Sequence, residues 1–230
     1  MLLDLEGYGP LLLEGTKVTL QLALLSLALA VVLGLLGAFA KLRPRGVLKA
    51  FAQGYTSLIR GIPDLVMMLL LFFGGQVLIN ALAVKVGYED YIDISPFLAG
   101  SVTIGVIFGA YMTETFRGAF LAIPKGQIEA ATSFGMMPWQ IAWRIQLPQM
   151  MRYALPGFSN NWLVLVKSTA IVSVIGLDDV VRKASLAAGA THKPFTFWIA
   201  VAGIYLLITS VSIGLQKALA HRLEAPMRLN

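Results

Sequence analysis

Charged residues make up only 13% of this 230-residue sequence, and four of them stand within or beside long apolar blocks: Arg60, Asp64, Glu114 and Lys167. A charge at the centre of a membrane helix costs about 2.5–3.5 kcal/mol on insertion scales, so each such side chain needs a partner or a use. Glu114 lies mid-block with Arg117 three residues on, which allows an intrahelical pair; the other reading is that Glu114 offsets a cationic solute in transit. Arg60 and Asp64 are four apart and could pair too, but Gly61 and Pro63 lie between them, and the proline removes a helix hydrogen bond. Exposed backbone is tolerated at membrane depth only where protein buries it or a wet cavity runs past it. The break is therefore a candidate border of a translocation path, with Asp64 favouring cations. Lys167 follows Asn160, Asn161 and Trp162; it is expected to bond carbonyls or a neighbouring subunit, a contact to a substrate carboxylate being the alternative. Gln76 and Asn80 are expected to bond between helices.

Enzyme chemistry has little to build on. There is no cysteine, so disulfides, thiolate metal sites and a cysteine nucleophile are excluded. His192 and His221 are far apart and belong to no His-Glu-x-x-His helix, and no Gly-x-x-x-x-Gly-Lys-Ser/Thr loop is present to cradle ATP. No catalytic residue, metal or cofactor is assigned to this chain.

The elements that position these residues follow from hydropathy. A 57% hydrophobic composition with mean hydropathy +0.76 is far above that of an ordinary soluble domain. Apolar blocks over about 18–40, 51–80, 96–123, 154–175 and 197–218 read as five transmembrane helices in one all-α domain. Runs of this length exceed the roughly 10-residue strands of a membrane barrel. Ala38-Phe39-Ala40 has the form of a signal-peptide cleavage site, but Asp4, Glu6 and Glu14 precede the block where positive charge is needed, so cleavage is rejected. Eleven lysines and arginines fall on one side of the spans and five on the other, which places the N-terminus outside and the C-terminus in the cytoplasm. Basic residues gather at block ends without interleaved aromatics, so no nucleic acid is expected. Gly105 and Gly109 invite close helix packing, a pattern common by chance.

The segment 124–150 is too polar to cross and too patterned to be a passive linker. Gln127 to Phe134 suit a short helix, Gly135 supplies a left-handed cap, and Pro138 suits the first turn of a second helix expected to end before Pro148. Ile128, Ala131, Met137, Ile141 and Ile145 give the pair an apolar face, leaving Glu129 and Arg144 to a partner.

The spacing Glu129-Ala130-Ala131, three residues, Gly135, nine residues, Ile145-Gln146-Leu147-Pro148 resembles the EAA loop of ABC importer membrane subunits. Ile59-Arg60-Gly61-Ile62-Pro63, Tyr111-Met112-Thr113-Glu114-Thr115-Phe116-Arg117-Gly118 and Lys167-Ser168-Thr169-Ala170 extend the resemblance across the chain to the polar amino-acid uptake branch, nearest the permeases for histidine, lysine, arginine and ornithine or those for arginine and ornithine. Ser168 stands where an aspartate is common in that branch. The resemblance implies a type I importer-like permease of the bacterial inner membrane whose loop, through Glu129, Ala130, Ala131, Gly135, Ile145 and Pro148, couples to a cytoplasmic ATPase. It implies two ATPase copies that hold ATP and Mg, a sister permease subunit in a heterodimer rather than a homodimer, an extracytoplasmic solute-binding protein and a basic amino acid as substrate. An ion-gradient-driven transporter and a non-transporting membrane scaffold are the rivals. The first predicts an inverted repeat and buried ion ligands, which the sequence does not display; the second leaves the loop pattern unmotivated.

Overall fold

The computed structural model describes residues 5–88 and 90–224, without the side chains of 223 and 224; Asp4, Glu89 and Arg228 lie outside the described residues. Helices follow one another with no strand among the described residues: α1 Gly9–Leu42, α2 Val47–Gly61, α3 Asp64–Lys85, α4 Pro96–Leu121, α5 Lys125–Ser133, α6 Pro138–Ile175, α7 Val180–Thr191 and α8 Pro194–Glu224. Five of them (α1, α3, α4, α6 and α8) are long and apolar enough to cross a bilayer.

Helix α4 is the centre of the molecule, with 67% of its most apolar window buried. Its most extensive partner is α1. Ser26 donates to the Ser101 carbonyl at 3.2 Å, Leu29 meets Gly105, Leu33 meets Gly109, and Gly37 meets Thr113. Residue numbers rise together along both helices, so they run parallel, as alternate spans must. A β-carbon on Gly109 would stand 2.8 Å from Leu33 Cβ and 2.8 Å from the Tyr55 hydroxyl, closer than real contacts allow. The Gly105 and Gly109 pair is therefore a true packing seam, which sequence spacing alone left undecided. Against the other side of α4, Gly157 meets Thr115 and Asn161 donates to Thr115 at 3.0 Å, while Val172 meets Gly100; α6 thus runs antiparallel to α4.

Three boundaries differ from the sequence reading. The block over 51–80 is two helices: α2 stops at Gly61, Ile62 and Pro63 are extended, and the spanning helix α3 begins at Asp64. Helix α1 begins at Gly9 rather than near 18, with Pro10 in its first turn. The helix after Gly135 does not end before Pro148. It continues to Ile175, because a π-helical turn over 142–146 widens the hydrogen-bond ladder just where Pro148 lacks its N–H.

The outermost spans are bare. Only 17% of the apolar window of α3 and 6% of that of α8 are buried, so both present apolar faces to lipid or to another chain.

Candidate functional site

Helix α5 closes through two crossed hydrogen bonds, Gly135 N to Thr132 O at 2.9 Å and Met136 N to Ala131 O at 3.1 Å. This is the Schellman arrangement, and Gly135 takes φ +77 as that motif requires. Helix α6 restarts at Pro138, with the Met137 amide donating to the Gln140 side chain at 2.8 Å. Gln149 donates to Gln127, joining the two arms. The fold between them is a depression of about 550 Å³ whose lining includes Ala130, Ala131, Ile145 and Pro148 with Arg144 and Arg152. Neither arginine has an ion pair among the described residues. Phe134 in the lining of the depression is 89% exposed, and Trp143 on the neighbouring turn of α6 is 68% exposed. The structure thus brings together four of the six loop residues singled out from sequence. Gly135 makes the turn that allows it, and Glu129 is exposed on α5, outside the depression.

The four charges in or beside apolar blocks fare differently from one another. Glu114 lies two turns from the end of α4, not at its middle. It accepts from Arg117 Nε at 3.0 Å and Nη2 at 2.8 Å and from Lys41 of α1, which in turn donates to Thr56 of α2. The intrahelical pair is real, but the carboxylate also ties three helices together. Arg60 and Asp64 do not pair. The extended residues Ile62 and Pro63 separate the two helices, and the Arg60 guanidinium instead lies 5.5 Å over the Tyr111 ring of α4. Asp64 is half-buried at the first turn of α3 with no ion pair among the described residues. Lys167 is exposed in the last α-helical turn of α6, just before a 3₁₀ segment over 169–175, rather than mid-span; among the described residues no carbonyl bond holds it.

Arg60, Tyr111, Thr115 and Asn161 form a polar seam through α2, α4 and α6. These contacts tie α2 and α6 to α4; no grouping of histidine, aspartate and glutamate suited to a metal occurs among the described residues. Residues 30–225 match the family described as the binding-protein-dependent transport system inner membrane component. The chain belongs to this permease family.

The permease is 52% identical over 218 residues to the histidine/lysine/arginine/ornithine transport system permease protein HisQ of Salmonella typhimurium, covering 95% of each chain. It is 44% identical over 207 residues to the octopine transport system permease protein OccQ of Agrobacterium tumefaciens, covering 90% of this chain and 87% of that one. Among solved structures it is similar to an amino acid ABC transporter crystallised with histidines, with TM-score 0.82, 32% identity and coverage of 96% and 98%. It also shares the fold of the MetNI methionine ABC transporter, with TM-score 0.74 at 20% identity and coverage of 93% and 96%. The expected all-helical, type I importer-like membrane fold is the fold found.

Sequence reasoning missed three partners of the permease's polar residues. Lys41 read only as a topology charge, although it reaches Glu114 across 73 positions. Tyr111 gave no sign that it underlies Arg60. Among the described residues, Gln76 and Asn80 do not bond to another helix. Asn80 exchanges hydrogen bonds with the Ile92 backbone at 2.8 and 2.9 Å, and Gln76 accepts from Ile94 N at 2.9 Å. Their spacing of four on one face was the available signal, since two amides one turn apart can grip an extended strand.

Proposed function

We propose that this permease forms half of the translocation path of an ATP-driven importer for basic amino acids: histidine, lysine, arginine and ornithine. The observation that carries the reading is the helical turn at 125–148, a pair of arms with an exposed Phe134 and two arginines that have no ion pair among the described residues, in a sequence with no nucleotide-binding loop. A partner with a groove and acidic rim fits it, and a cytoplasmic ATPase in two copies, holding ATP and Mg, is that partner. The relatives' names support the substrate class, and Asp64, without an ion pair among the described residues, supports a preference for cations. Arg60, held over Tyr111, and Lys167 are the positive groups available to a substrate carboxylate. Glu114 belongs to the scaffold, because Lys41 and Arg117 already use its oxygens.

The bare faces of α3 and α8 suit a sister permease in a heterodimer. The N-terminus lies outside, where a solute-binding protein delivers its amino acid, and the C-terminus lies in the cytoplasm. Nucleotide binds the closed ATPase pair better than the open one. That difference shifts the pore between outward and inward states through the coupling turn, since a ligand moves an equilibrium only by its differential affinity.

The test is uptake of labelled arginine in membrane vesicles with nucleotide and proton gradient controlled separately. Uptake is expected to stop on ATP removal with the gradient intact; uptake that persists on the gradient alone overturns the reading. Gly135→Val, which forces a β-branched residue into left-handed backbone, is expected to cut co-purification of the ATPase at least tenfold while the chain remains in the membrane.

A further inference from the structure

Helix α7 lies at the end of the molecule opposite the coupling turn, between the first turns of α1 and the start of α8. Its seat is tight. A β-carbon on Gly15 would stand 2.8 Å from the Val180 backbone, and the Val180 amide donates to Thr19 at 3.3 Å. Asp179 caps the helix: Oδ1 accepts from the Arg182 amide at 2.8 Å. The residue is 0% exposed, and its Oδ2 is a buried polar atom with no hydrogen-bond partner among the described residues. A buried, half-satisfied carboxylate is costly as an anion and much less so as an acid.

The neighbouring charges do not relieve that cost. On α1, Glu14 is bound to Lys183, and Lys17 stands on the same turn. On its own segment, Asp178 is a second negative charge and pairs at 3.8 Å with Arg182. On α8, Tyr205 lies within electrostatic reach, its hydroxyl 3.3 Å from Thr169. Burial pushes the Asp179 carboxyl up to about 6, against the pull of the backbone amides at 181 and 182. With α7 lifted, the same group in water would return to about 3.9.

We propose that Asp179 is a proton-operated latch, in which seating α7 on α1 takes up a proton at the free Oδ2 and lifting α7 releases it. A carboxyl whose acid form is favoured in the seated state stabilises that state fully at pH below about 4, and the stabilisation is lost as pH rises through about 6. Acid in the compartment bathing α7 therefore holds the connection between the last two spans closed, and neutral pH frees it. The latch does not depend on what the permease carries; the proposed orientation enters only in making that compartment the external one.

The experiment is hydrogen exchange of the α7 amides in the full chain, purified with its partner subunits in lipid nanodiscs, from pH 8 to pH 5 and corrected for intrinsic exchange. The opening constant is expected to fall about tenfold over that range with a midpoint near 6. Asp179→Asn keeps the capping acceptor but cannot ionise, and its profile is expected to be flat. Glu14→Gln is expected to keep the wild-type midpoint. A flat wild-type profile overturns the latch, as does an Asp179→Asn profile that still titrates. Should Asp179→Asn fail to assemble, the wild-type and Glu14→Gln profiles decide: a midpoint that disappears with Glu14→Gln assigns the titration elsewhere and overturns the latch.

Discussion

Glu114 and Asp64 are two carboxylates in apolar helices with opposite surroundings. Glu114 stands on α4, where 67% of the apolar window is buried, and receives Lys41 from one neighbour and Arg117 from its own helix. Asp64 opens α3, where 17% of the window is buried, next to a backbone break and with no ion-pair partner among the described residues. In a membrane protein a charge that the fold already satisfies fixes helix positions, whereas one the fold leaves unsatisfied remains available to a solute. On the proposed function, this contrast casts Glu114 as scaffold and Asp64 as path.

The largest effect that tests it is at the scaffold. Glu114→Ala leaves Lys41, whose side chain is 10% exposed, without its counter-charge, at a cost of about 2–3 kcal/mol after allowing for the partial exposure of Glu114. Thermal unfolding in detergent micelles is expected to shift down accordingly, with lysine and histidine uptake lowered in equal proportion. Unchanged stability with a loss confined to lysine would move Glu114 from scaffold to path.

Next in size is the path. Asp64→Asn is expected to leave assembly intact and reduce the preference for lysine over a neutral amino acid about tenfold, equivalent to about 1.4 kcal/mol. Competition assays against labelled arginine read this directly. An unchanged profile would reduce Asp64 to a helix-start residue and leave selectivity to other residues.

The smallest effect sharpens the picture of α3. Gln76→Ala removes the acceptor for the Ile94 amide, one of the ties holding the segment after α3 against it. The expected cost is about 1 kcal/mol. Exchange at Ile94 should then speed up about fivefold while α4 is unaffected. Equal acceleration in α4 would mean that α3 and α4 open together, and the contrast between a rigid core helix and a loosely held outer one would fail.

Much of this was legible in the chain itself. Apolar runs longer than a bilayer's width dictate helices, because lipid offers no hydrogen bonds to an unpaired backbone. Gly135, four residues after Ala131 and three before Pro138, dictated the turn, since left-handed backbone and a proline-led helix are local matters. Pro63 likewise announced the break that splits α2 from α3. These features depend on residues within one or two turns of each other, which is the range over which sequence acts directly.

What only the tertiary structure decided is which polar group meets which. Lys41 with Glu114, Arg60 over Tyr111, Asn161 with Thr115 and the buried Asp179 against Gly15 and Thr19 are set by the register of helices far apart in the chain. The same holds for Pro148, where a π-helical turn let a continuous helix form in spite of a residue that usually ends one. The physical reason is that periodicity assigns a side chain to a face, while its partner depends on the axial offset between packed helices, and glycine seams such as Gly105 and Gly109 set that offset only once the helices have closed.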